Sequence, residues 1–258
     1  MLTRDCQQQK TEIRNANLFN RIIFMYQSKL YIYLRRLARK TGLLPSVVSG
    51  WRKLFAVKYE QSFNQFMQRN INPDDVIWDV GANQGQYVEE ILVNLSNKGK
   101  VVTFEPAPTS AAVLYKKFIN KKNVTIINAA LSDKNGEMTF YFDPAGSSSV
   151  EDSSAYHPDK DSCVVRQFTG ASFAHEEKEL FPNCIKIDVE GFEVAVIEGL
   201  KTILSDRRLR CLFIEVHFRK LDSLGYKTGA SQIFDILKSS GFKTTWTDPS
   251  HLCAVRVK

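Results

Sequence analysis

What this chain of 258 residues lacks narrows it first. Its five cysteines (Cys6, Cys163, Cys184, Cys211 and Cys253) are odd in number and include no Cys-x-x-Cys. That excludes a zinc ribbon and a thioredoxin-type dithiol, and predicts reduced thiols, four of them in apolar runs. No window offers about 18 uncharged apolar residues, so no transmembrane helix is expected. The first 17 residues are polar and predict no signal peptide. The chain is therefore expected to be cytoplasmic and reduced. No Gly-x-Gly-x-x-Gly and no Gly-Lys-Ser/Thr occurs, which removes the dinucleotide and P-loop cradles for phosphate. Acid is missing from one long stretch: residues 13–59 hold ten Lys or Arg and no Asp or Glu. With 35 basic and 28 acidic residues in all, the remainder has 25 basic against 28 acidic, a balance of −3. The net charge of +7 thus belongs to the N-terminal segment.

What is present reads as one α/β domain behind a basic helical segment at 1–70. Leu18, Ile22, Met25, Leu30, Tyr33, Leu34 and Leu37 recur at helical spacing and predict a helix over 15–40. Gly42 and Pro45 break it, and a second helix is expected over about 46–69. From Val76 strands and helices alternate, the pattern of a mostly parallel sheet covered on both faces. Strands are expected at 76–80, 101–105, 124–128, 184–188 and 210–216. Helices fill 85–96, 108–119, 192–204 and 230–240. Strands at 242–247 and 252–257 close the domain, 71–258, as an antiparallel hairpin. An insertion at about 137–183 interrupts the alternation. It carries strand signals at Met138–Phe142 and Val164–Phe168 around a Ser- and Asp-rich loop at 144–162, a candidate lid or substrate loop.

Chemistry concentrates at strand ends. Val76-Ile-Trp-Asp79-Val leads into Gly81-Ala-Asn83-Gln-Gly85, and the next strand ends in Glu105. Glycines there tolerate positive φ and admit a close ligand, while a carboxylate at Glu105 can accept both hydroxyls of a ribose. Asp-x-Gly-x-x-x-Gly with a later acid resembles the S-adenosylmethionine site of class I methyltransferases. That cofactor has a ribose and an ammonium but no phosphate, which suits the acids near the turn. The competing reading is an ordinary strand–helix turn.

Two further strands end in candidate groups. Cys184-Ile-Lys-Ile-Asp188-Val-Glu190-Gly191 places Asp188 and Glu190 at the carboxyl edge, where open α/β sheets bind ligands. Either acid could instead cap the following helix. Leu212-Phe-Ile-Glu215-Val-His217 puts Glu215 and His217 two residues apart, on one face of an extended strand. His217 is suited to take a proton near neutrality, though a strand-end His is often structural.

Together, Asp-Val-Gly-Ala-Asn-x-Gly, Phe-Glu-Pro, Ala-Leu-Ser-Asp-x-x-Gly at 130–136, Lys-Ile-Asp-Val-Glu-Gly and Ile-Glu-Val-His resemble the FkbM family of methyltransferases. The resemblance covers about residues 71–217 and, more weakly, the closing hairpin. It implies a Rossmann-like class I fold with a seven-stranded sheet, S-adenosylmethionine as methyl donor, and a sugar or macrolide hydroxyl as acceptor. It further implies that Asp79, Gly81 and Asn83 line the methionine part of the cofactor, that Glu105 holds the ribose, and that Ser132 and Asp133 lie near the adenine. Gly85 completes the cofactor set as the turn's second glycine. An alcohol must lose a proton to attack a sulfonium methyl, so a base or a metal is required. His217 and Asp188, with Glu215 beside them, are the base candidates. Alternatively Asp188 with Glu190 or Glu215 could hold Mg²⁺, a hard ion that takes carboxylate oxygens.

Other readings stay open. One is a methyltransferase of a small natural product or an amine; a neutral amine would need His217 less. Asn/Asp-Pro-Pro-Tyr/Phe is absent, which disfavours planar amides and nucleobases. Another is a non-enzymatic binding module using the basic segment, although nucleic acid is disfavoured because such charge is usually a solvated face. Aromatics among the basic residues of 13–59 also suit an anionic membrane surface at the inner face, an anionic glycan or glycolipid, or a homo-oligomer contact.

Overall fold

The computed structural model describes residues 62–142, 148–149 and 161–257. The helix expected over 15–40, the beginning of that over 46–69, Cys6, the basic segment 13–59 and most of the loop at 144–162 lie outside the described residues.

Apolar runs become strands, and their alternation sorts them onto two faces. The strands are β1 (Val76–Val80), β2 (Lys100–Phe104), β3 (Val124–Ile127), β4 (Ala130–Ser132), β5 (Gly136–Phe142), β6 (Ser148–Ser149), β7 (Asp161–Thr169), β8 (Cys184–Ile187), β9 (Cys211–Glu215), β10 (Phe242–Trp246) and β11 (His251–Arg256). Seven form the main sheet in the order β10-β11-β9-β8-β1-β2-β3. All its pairings are parallel except those of β11, which runs antiparallel to both β9 and β10. This is the mostly parallel sheet with a closing antiparallel hairpin expected above.

Ile77, Val101, Cys184, Cys211 and Phe213 point to one face. A helix over 62–70 (α1), α2 (Gln86–Leu92) and α3 (Pro108–Phe118) cover it through Phe63, Met67, Val88, Ile91, Leu114 and Phe118. Trp78, Val102, Phe104, Ile185, Ile187, Leu212 and Ile214 point to the other face. There they meet α4 (Gly170–Glu176), α5 (Glu193–Leu200), α6 (Phe218–Ser223) and α7 (Gly229–Ser239). A strand buried on both sides needs apolar residues at successive positions, which is why these runs barely alternate in sequence.

The insertion forms a second sheet, β4-β7-β5-β6, with β5 and β7 antiparallel over Gly136↔Gln167 to Phe142↔Asp161. Both strand signals in the insertion are therefore strands. β4, α4 and α6 were not expected; each is shorter than the window over which periodicity is readable. β1, β2, β8 and β9 all end beside one another, and the residues just beyond them build the site.

Candidate active site

A cavity of about 290 Å³ opens beyond the carboxyl ends of β1, β2 and β8. Its lining includes Gly81, Asn83, Glu105, Pro106, Leu131, Asp188, Glu190 and Phe192, with Met138 and Phe140 from the second sheet. The turn after β1 is built for tight packing. Gly81 has φ +79°, and a Cβ there would stand 1.9 Å from the Asp188 carbonyl oxygen. Gly85, at φ +80°, opens α2, and a Cβ would meet Phe118 and Leu114 of α3. The two glycines are thus required first by protein packing: Gly81 brings the turns after β1 and β8 into contact, and Gly85 seats the start of α2 against α3.

Glu105 stands just past β2 and is buried. Its Oε2 accepts from the Asn83 amide at 2.7 Å and its Oε1 from the Ala107 amide at 2.9 Å. Burial pushes its carboxyl up and these amides pull it back, leaving it at about 7. Each oxygen keeps a lone pair for a hydroxyl donor, the chemistry a ribose requires. Apolar Pro106, Leu131, Met138 and Phe140 stand around it, as a flat base requires. Asn83 and Glu190 are the non-glycine residues with positive φ among the described residues, +48° and +54°, and both line the cavity. Such strain gathers where function holds it.

A cluster of acids and cations borders the same cavity. His217 Nδ1 lies 2.7 Å from Oε1 of Glu193, which is fully buried. His217 Nε2 faces Glu190 Oε2 at 3.1 Å, Asp188 Oδ1 at 3.7 Å and Glu215 Oε1 at 3.8 Å. Burial alone would lower the imidazole; Glu193, Glu190 and Asp188 outweigh it and raise His217 to about 9. Lys186 Nζ lies 3.1 Å from Asp79 Oδ1 and 3.5 Å from Asp188 Oδ2, and Lys220 Nζ lies 2.8 Å from Glu190 Oε2. Burial, then Glu215 and Glu190, push the Asp188 carboxyl up, against Lys186 and His217. Behind them His251 bridges Asp248 at 2.7 Å and Glu215 at 3.5 Å and is held at about 9 against its own burial. Glu190 does not cap α5: Phe192 holds that position without a side-chain cap. Glu193 accepts from the Gly191 amide instead.

The sequence motifs that form this edge match the methyltransferase FkbM domain over residues 79–244. The chain belongs to the FkbM methyltransferase family. A curated relative, the hexuronic acid methyltransferase AglP of Haloferax volcanii, is 26% identical over 198 residues, covering 70% of this chain and 79% of that one. Among solved structures, a SAM-dependent methyltransferase from Aquifex aeolicus aligns with TM-score 0.42 and 11% identity, covering 81% of this chain and 96% of that one. Aeropyrum pernix fibrillarin, solved with bound S-adenosyl-L-methionine, aligns with TM-score 0.40 and 14% identity over 73% and 68%. Likenesses at that level bear on neither substrate nor residue roles.

In this FkbM methyltransferase the expected residues fall into three groups. Gly81, Asn83, Glu105, Asp188 and Glu190 line the cavity. His217 stands next to it, in contact with Asp188 and Glu190, and Glu215 meets His217 in turn. Asp79, Gly85, Ser132 and Asp133 are outside its lining. Asp79 is fully buried against Lys186. Ser132 is buried and donates to Asp133 Oδ1 at 3.1 Å. Of the expected metal ligands, Asp188 and Glu190 come together with His217, not Glu215, as three groups whose ligand atoms lie within 4.8 Å of one another.

Sequence reasoning missed Lys186, Glu193, Lys220, Asp248 and His251. Glu193 and Lys220 face His217 and Glu190 from separate helices. Lys186 sat inside a quoted motif, where a cation in an apolar strand was the available signal. Met138 and Phe140 were legible as strand but not as cavity wall. Among the described residues no helix is long and apolar enough to cross a membrane.

Proposed function

We propose that this FkbM methyltransferase is an S-adenosylmethionine-dependent O-methyltransferase acting on a hydroxyl of a sugar, with uronic-acid-bearing glycans as the leading acceptor class. The observation that carries the reading is that Glu105 and Asp188 line one and the same cavity. When bound, the cofactor supplies an electrophilic methyl group. Glu105 would accept hydrogen bonds from the ribose hydroxyls, the Gly81–Asn83 turn would hold the amino-acid end, and Pro106, Leu131, Met138 and Phe140 would take the base. Asp188 faces the cavity and accepts the proton of the attacking hydroxyl. His217, an imidazolium below about pH 9, holds Asp188 and Glu190 against their mutual repulsion. Positioning of the two reactants supplies the larger share of the rate. The uronic-acid preference follows the relative AglP.

A second reading rests on Asp188, Glu190 and His217, which could hold a divalent cation such as Mg²⁺. With Nδ1 committed to Glu193, Nε2 is the atom that would ligate, once it gives up its proton and its contact with Glu190. Such an ion would polarise the hydroxyl. Loss of turnover in chelator, restored by added Mg²⁺, would favour it; turnover indifferent to chelator would remove it. Residues 13–59 complete the proposal as the segment that recruits the enzyme to an anionic glycolipid or membrane surface or joins two copies.

The test combines titration with S-adenosylhomocysteine and turnover on a panel of glycosides. Binding to the wild type, weakened in Glu105→Ala, with a methyl ether formed on a sugar ring, is the expected result. Equal affinity in a folded Glu105→Ala would refute the cofactor placement. Methylation of amines alone would refute the acceptor.

A further inference from the structure

Strand register decides where Lys186 stands. β8 pairs with β1 so that Lys186 lies beside Asp79, and side chains paired in this way leave the same face. The ammonium then reaches two acids, Asp79 Oδ1 at 3.1 Å and Asp188 Oδ2 at 3.5 Å. The ring centre of Tyr87, from α2, lies 4.3 Å from the same nitrogen. Lys186 is 2% exposed and Asp79 0%.

A charge pair this deep is an odd choice for stability alone. Desolvating both ions is costly, and apolar residues of similar volume usually serve a fold as well or better. What the ammonium adds is reach. It connects the strand beneath the first turn to the acid that faces the cavity. The other oxygen of that acid, Oδ1, lies 3.7 Å from His217 Nε2. The Asp188 carboxylate is thereby held from both sides by cations, one on β8 and one just beyond β9.

We propose that Lys186 is a positioning residue for methyl transfer: anchored by Asp79 and packed on Tyr87, its ammonium aims the Asp188 carboxylate into the acceptor end of the cavity. The inference rests on the reading of Asp188 as proton acceptor. The alternative is that Lys186 merely neutralises Asp79. The two roles diverge once both charges are removed together.

The full chain would be made as wild type, Lys186→Met and Asp79→Asn/Lys186→Met. The double variant leaves no uncompensated ion behind and guards against a single variant that fails to fold. S-adenosylhomocysteine affinity would be measured by calorimetry, and turnover at saturating S-adenosylmethionine with sugar acceptors. The expected result for the double variant is affinity within about threefold of wild type and turnover reduced at least thirtyfold, roughly the loss of one oriented charge-assisted contact. Turnover restored to wild type in the double variant would overturn the proposal, leaving Lys186 as a counter-charge. Affinity and turnover falling in parallel would also overturn it, because Lys186 would then be holding the cofactor turn. If the wild type methylates no sugar, the acceptor reading fails separately. Lys186 is then judged from the double variant crystallised with S-adenosylhomocysteine: Asp188 swung away supports the proposal, and Asp188 unmoved defeats it.

Discussion

Glu105 sits between opposing demands: burial raises its proton affinity, and the amides of Asn83 and Ala107 lower it, leaving it at about 7. Only the carboxylate form can accept two ribose hydroxyls at once. Affinity for S-adenosylhomocysteine should therefore fall as pH drops from about 8 to 6, as Glu105 takes up a proton. Glu105→Gln should bind about 1.5–3 kcal/mol more weakly and lose that pH dependence, as expected for removing charge-assisted hydrogen bonds. Calorimetry across pH checks both. A pH-independent wild type would show that Glu105 does not meet the ligand. His217 is placed differently. It touches Asp188, Glu190 and Glu193 rather than lining the cavity. His217→Ala should lower turnover by about tenfold or more, the range for losing the charge-assisted contact that holds Asp188, while leaving affinity within about threefold. Unchanged turnover would show that Asp188 does not depend on it.

At the scale of elements, the strands that matter were readable because each is buried on both faces and so is continuously apolar. Glu105 and Asp188 were readable because acids directly after such runs fall on the ligand edge of an open sheet. The partners of those acids were not readable. Asp79 and Lys186 meet only because β1 and β8, distant in sequence, are neighbours in the sheet. His217 gains Glu193 from α5 and lies across from Lys220 of α6, a helix of six residues too short for periodicity to betray. The second sheet was half legible: β5 and β7 carried alternation, but nothing in them announced that Met138 and Phe140 would wall the cavity. This gives a paired prediction. Phe140→Ala should weaken S-adenosylhomocysteine binding, because it removes part of the cavity wall. Phe213→Ala, fully buried on the opposite sheet face, should cost about 3–5 kcal/mol of stability and leave the affinity of the folded protein unchanged. Denaturant melts beside calorimetry separate the two effects, and the reverse pattern would misplace the cavity.

For the molecule as a whole, two imidazoles, His251 buried and His217 half-buried, shape the pH range of stability. His217 and His251 are both raised from 6.5 to about 9 in the folded chain. A raised pKa contributes stability that is complete below the unfolded value and is lost as pH climbs through the folded one. Melting temperature should accordingly decline between about pH 6.5 and 9, and Glu105, raised to about 7, adds to the decline from lower pH. Glu215 works oppositely: burial notwithstanding, His251 draws its carboxyl down, so its contribution disappears in acid. A melting profile flat from pH 6 to 9 would contradict the imidazolium cluster. The full chain is incubated with trideuteriomethyl S-adenosylmethionine and a uronic-acid-terminated glycan, and the product is read by mass spectrometry and NMR. One labelled methyl is expected as an ether on a ring hydroxyl, formed far more slowly by Asp188→Asn. Label found only as a carboxylate ester or on an amine, or label incorporated equally well without Asp188, would contradict the proposed function.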